Sequence, residues 1–131
     1  MAKNKTVRTE YWKHEPDEHD YPAAGDYLSL LVPEQAVQGV VEELRNAAIV
    51  NRKAKDLMRA SGLALLPAGD PEVAKDLKRV AKGESLSPVL LVRGHAHASR
   101  PLIVADGYHR ICASYHLTED ADIPCRIADL G

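Results

Sequence analysis

Asp106, Gly107, Tyr108, His109 and Arg110 run consecutively between an aliphatic stretch and an amphipathic one. A strand that turns at Asp-Gly into a helix opening with His and Arg gathers free backbone N–H groups and a guanidinium at one point. Such a point attracts anions, phosphate above all. Gly107 lets the turn take unusual dihedrals and lets an anion approach the backbone. Arg110 offers a planar fork matched to phosphate, and His109 adds a donor that can carry charge. Asp106 is expected to cap the helix or to stand near a Mg²⁺ accompanying a polyphosphate. For acid–base work, Asp106 and His109 are the candidates that belong to a specific site.

The elements around the turn follow from pattern. Pro88–Arg93 and Leu102–Ala105 read as strands joined in a hairpin by the polar loop 94–100. Residues 107–117 read as a helix, and 123–127 as a final strand with Pro124 at its start or on an edge. Before them, Tyr27–Val32 reads as a strand and 34–47 as an amphipathic helix opened by Pro33. Ile49–Ala60 reads as a second helix stopped at Ser61-Gly62. A further helix follows Asp70-Pro71, which have the chemistry of a cap and a first helical position. The fold class expected is α+β: a small mixed β-sheet with several packed helices.

Residues 1–24 read as a polar leader, partly disordered, ahead of a single domain over 25–131. The charged run His14–Asp20 is either a solvated tail or a lid that supplies Asp or His to a metal–phosphate site. Tyr11, Trp12 and Tyr21 are the residues able to pin it to the body.

The 131 residues carry a net charge of −2, with 45% hydrophobic residues and no Phe, so the core must be aliphatic. The charge balance argues against nucleic-acid binding through bulk positive charge. Two basic faces, Arg52/Lys53/Lys55/Arg59 and Lys75/Lys78/Arg79/Lys82, remain as surfaces for a protein or nucleic-acid partner. Cys112 and Cys125 are expected to be reduced thiols of a cytoplasmic protein. No apolar run reaches the ~20 residues of a spanning helix, so no membrane partner is expected. His109, Cys112 and His116 share a helix at steps of three and four. With Cys125 or the loop histidines 95 and 97 they form a zinc alternative, but the bland reading of core thiol and helix-end histidine is preferred, and no metal ligand is assigned.

The ordered segments 86–93, 102–113 and 123–127 resemble the ParB/sulfiredoxin superfamily over about a third of the chain. The resemblance implies a ParB/sulfiredoxin-like fold and a nucleoside triphosphate, ATP or CTP, with Mg²⁺. Its phosphates would lie on Gly107, Tyr108, His109 and Arg110. It also implies phosphoryl transfer or nucleotide hydrolysis as the possible chemistry. Tyr108 stands where a sulfiredoxin has its catalytic Cys, and a phenol cannot form the sulfur–sulfur intermediate, so that activity is not expected. With the chain ending at Gly131, a downstream DNA-reading helix-turn-helix is not expected either. The competing reading is a non-catalytic protein- or nucleic-acid-interaction module that keeps the fold.

Overall fold

A computed structural model describes residues 10–130 of the protein. Among them are five α-helices and a four-stranded mixed sheet. In chain order these are α1 (Asp20–Leu28), α2 (Glu34–Asn46), β1 (Val50–Lys53), α3 (Ala54–Ser61) and α4 (Pro71–Ala81), then β2 (Val89–Val92), β3 (Ile103–Asp106), α5 (Tyr108–Leu117) and β4 (Asp122–Ala128). The spatial order of the strands is β1-β4-β2-β3. β2 pairs antiparallel with β3, as the hairpin reading expects, and parallel with β4. β1 closes the other edge, antiparallel to β4.

Alternation along β2 explains the layers. Val89 and Leu91 face α3, α4 and α5, while Leu90 and Val92 face α1 and α2. All four are fully buried, so β2 reads as a continuous apolar run. Each such side chain contributes roughly 1.5–3 kcal/mol by leaving water. No helix among the described residues is long and apolar enough to cross a membrane.

Three elements differ from expectation. The strand expected over 27–32 is the end of α1 and a turn, and Leu30 and Leu31 stand exposed. The helical face of α1 is carried instead by Tyr21, Ala24 and Leu28, all buried. The helix expected over 49–60 begins only at Ala54, because Val50–Lys53 pair with β4 as an edge strand. Pro124 lies inside β4, which is an inner strand, although the parallel ladder with β2 starts just after it, at Cys125.

The segment before α1 is part of the body from Glu10 onward; residues 1–9 of the expected leader lie outside the described residues. Trp12 bridges Leu86, Tyr11 is buried against Val80 and Leu86, and the hydroxyls of Tyr11 and Ser114 share a buried hydrogen bond. The boundary expected at residue 24 therefore falls inside α1.

Candidate functional site

Asp70 caps α4 as its sequence suggests, accepting from the N–H groups of Glu72 and Val73. α5 is different. Gly107 stands at its N-cap position with φ +114°, and no side chain caps it. The helical ladder starts with the Ile111 N–H donating to the Gly107 carbonyl at 3.0 Å. The N–H groups of Tyr108, His109 and Arg110 thus precede the ladder, at the positive end of the helix dipole.

Gly107 is required for a reason other than ligand approach. A Cβ there would lie 2.4 Å from Val89 Cγ1, so the helix start packs directly on β2. Asp106 does not cap α5. Its Oδ2 accepts from Arg110 Nη2 at 2.9 Å, and the same nitrogen donates to the Pro88 carbonyl at 3.3 Å. Asp20 Oδ2 is 3.9 Å from that nitrogen. Arg110 Nε is buried without a hydrogen-bond partner. The guanidinium is therefore held by the protein, not left free as an anion hook.

A cleft of about 240 Å³ opens over this turn. Asp106, Gly107, His109 and Arg110 form one wall; Glu72, Lys75, Asp76 and Arg79 of α4 form another; Asp17, His19 and Asp20 form a third. The charged segment before α1 and the turn at 106–110 are thus brought to one place. Asp20 is buried, accepting from Ser87 Oγ at 2.7 Å and from the Asp17 N–H at 3.2 Å. Ligand-type atoms of Asp17, His19 and Asp20 all lie within 4.8 Å of one another.

The cleft is lined by charges of both signs, five carboxylates against Lys13, Lys75, Arg79 and Arg110. Asp20 and Asp76 are buried, and Asp106 and Arg110 are only 18% and 17% exposed. Asp106 and Asp20 both lie within 3.9 Å of the Arg110 guanidinium, and Asp76 lines the same cleft with Lys75 and Arg79. Burial pushes the carboxyls of Asp106 and Asp76 above the ordinary 3.8, against the pull of Arg110 on both. Asp17 is shifted the other way, mainly by the hydrogen bond from Lys13.

His109 lines the cleft beside these groups. The Tyr108 side chain leaves it, its hydroxyl donating to the Ala64 carbonyl, so only its backbone serves the turn. The zinc alternative does not assemble. Cys112 and Cys125 are both fully buried, the Cys125 thiol is pushed up to about 12 by burial, and His116 Nε2 is engaged with the Leu66 carbonyl. Sequence reasoning missed Asp76, although a signal was present. It lies three residues after Val73 and four before Val80, on the buried stripe of α4.

A larger cleft of about 520 Å³ lies beside Trp12, but its Asp120 and Asp122 are exposed and already paired with Lys55 and Lys53. No family model, curated protein or solved structure matches this chain.

Proposed function

We propose that the cleft over Gly107–Arg110 binds the phosphate end of a nucleotide together with a divalent cation. The observation that carries this reading is the meeting of an uncapped helix N-terminus with a carboxylate-rich wall in a single cleft. A bare phosphate would face the net negative charge of Asp20, Asp76 and Asp106. A phosphate accompanied by a cation would not, and the helix end supplies donors for its oxygens. The ParB/sulfiredoxin resemblance of residues 86–127 points the same way and names a nucleoside triphosphate, ATP or CTP, with Mg²⁺. At about 240 Å³ the cleft is below the roughly 300–1,000 Å³ of pockets that enclose small molecules. It suits the phosphates, with sugar and base outside.

In this reading Gly107 shapes the turn, the backbone of Tyr108, His109 and Arg110 faces the phosphate, and His109, which lines the cleft, is the candidate for acid–base work. Asp106 holds Arg110 in place instead of acting as a base. A bound cation would neutralise phosphate charge, which is what phosphoryl transfer or hydrolysis needs. The interaction-module reading loses part of its basis. Lys53, Lys55 and Arg59 of one basic face are paired with Asp122, Asp120 and Asp56. Lys75 and Arg79 of the other border the cleft.

The test is thermal unfolding with ATP, CTP, GTP or inorganic phosphate, each with Mg²⁺ or with EDTA. A nucleotide at 100 times its Kd stabilises the fold by about 2.7 kcal/mol, and EDTA should diminish the effect. Absence of a shift with every nucleotide in the presence of Mg²⁺ overturns the reading and favours the interaction module.

A further inference from the structure

We infer that the outer edge of β3 is a docking site for an extended peptide of a partner protein, apolar at alternate positions and carrying a carboxylate at one end. The inference goes beyond the phosphate cleft and does not rest on it. The two edges of the sheet are built differently. β1 meets solvent through Asn51 and Arg52, with Lys53 paired to Asp122, and such charge keeps an edge from pairing further. β3, at the other edge, places Ile103, Val104 and Ala105 there. The Leu102 N–H turns away from β2 and donates to the Ala60 carbonyl at 3.0 Å. A strand alternates, so the N–H and C=O of Val104 also point outward. No loop or helix backbone among the described residues bonds to them.

A groove of about 440 Å³ lies along this edge. Residues 100–104 line it from the strand, the end of α1 forms one wall and the end of α3 the other. Of the five large apolar residues that stand exposed among the described residues, three line it: Tyr27, Leu31 and Leu63. Single exposed apolar residues are ordinary, but a cluster beside an open strand edge marks an interaction surface. These walls belong to the two faces of the sheet, toward which the side chains of an added strand point alternately. Arg100 is the one charged residue of the lining, exposed and without an ion pair among the described residues. Its complement is a carboxylate on the occupant. That decides against a second copy of this chain: the groove brings no acid of its own, and Asp106 at the far end of β3 is paired with Arg110. A small apolar molecule is disfavoured as well, because it would cover the Val104 N–H and C=O without bonding to them.

The probe is a phage-displayed library of random decapeptides, selected against the full-length protein, with the strongest binder then made as a synthetic peptide. Selected sequences should share apolar residues at every second position and an Asp or Glu beyond them. Arg100→Glu should weaken the synthetic peptide by about tenfold or more. A fresh selection on that variant should replace the acid by Lys or Arg. Methylating alternate amide nitrogens of the peptide leaves the protein untouched. The pattern that blocks the amides facing the edge should abolish binding, and the complementary pattern should spare it. In amide-resolved NMR spectra the shifts should centre on residues 102–106, with slowed hydrogen exchange at Val104. No enriched sequence, binding that Arg100→Glu leaves unchanged, or equal sensitivity to the two methylation patterns overturns the inference. So does a concentration-dependent dimer that excludes the peptide and survives Arg100→Glu, which would give the edge to a second copy.

Discussion

Arg110 of α5 reaches back to the last residue of β3, placing its Nη2 2.9 Å from Asp106 Oδ2. The two groups that a sequence reading offers as anion hook and proton acceptor are spent largely on each other. Their pairing ties the helix start to the strand that precedes it, and the Pro88 carbonyl adds a third point of attachment.

Arg110→Ala is therefore a stability variant. It leaves Asp106 and Asp20 without the cation they share. Breaking a mostly buried pair in this way costs about 3 kcal/mol, to be read from urea unfolding. Asp106→Asn should cost less, because the amide oxygen still accepts from Arg110. An Arg110→Ala protein within about 0.5 kcal/mol of wild type, the range of an inconsequential surface change, would remove this pair from the architecture.

Gly107→Ala and Gly62→Ala separate dihedral strain from steric exclusion. Both glycines have positive φ, +68° at Gly62 and +114° at Gly107, yet a Cβ at Gly62 meets nothing within 4 Å. Gly62→Ala should cost about 1–2 kcal/mol from left-handed backbone alone. Gly107→Ala adds the clash with Val89 and should cost clearly more, about 3 kcal/mol with overpacking included. Equal melting temperatures for the two variants would contradict the packing described for the α5 start.

What the sequence discloses and what it hides follow one physical line. β2, β3, α5 and β4 are legible because β2 is buried on both faces and the Asp-Gly turn punctuates the hairpin and helix. α1 is hidden because its buried residues, Tyr21, Ala24 and Leu28, are spread among Pro22, Gly25 and Asp26, while the apolar run after it is exposed. β1 is hidden because Asn51 and Arg52 on an edge strand need no alternation of apolar residues. The turn of the candidate site is local, so its residues can be named from the chain alone. The carboxylate wall is not local, since Asp17, Asp20 and Asp76 meet Arg110 only through tertiary packing.

Tyr11 tests whether the segment before α1 is structural. Its ring is buried with Val80 and Leu86, and the strand-like pairing Leu86 N–H to Tyr11 carbonyl measures 2.8 Å. Tyr11→Ala should cost about 3–5 kcal/mol, the scale of a buried aromatic deletion. Tyr11→Phe should cost about 1 kcal/mol through the bond lost to buried Ser114. A Tyr11→Ala protein with wild-type unfolding would show the segment to be dispensable.

Asp76 makes a prediction whose sign is fixed by burial. Its carboxyl titrates above the ordinary 3.8 because desolvation outweighs the attraction of Arg110 and Arg79. Between 3.8 and the raised value the folded protein binds more protons than the unfolded chain, so this residue's contribution to stability falls as pH rises through that window. Above it the penalty is fully present; below pH 3.8 it is absent. Asp76→Asn removes the titration and keeps the shape. The melting temperature of the variant relative to wild type should therefore increase from acid toward neutral pH and then level off. Asp106 and Asp17 titrate in both proteins and cancel in the difference. A difference that stays constant with pH, or that declines toward neutrality, would mean that the Asp76 carboxylate is already compensated inside the protein.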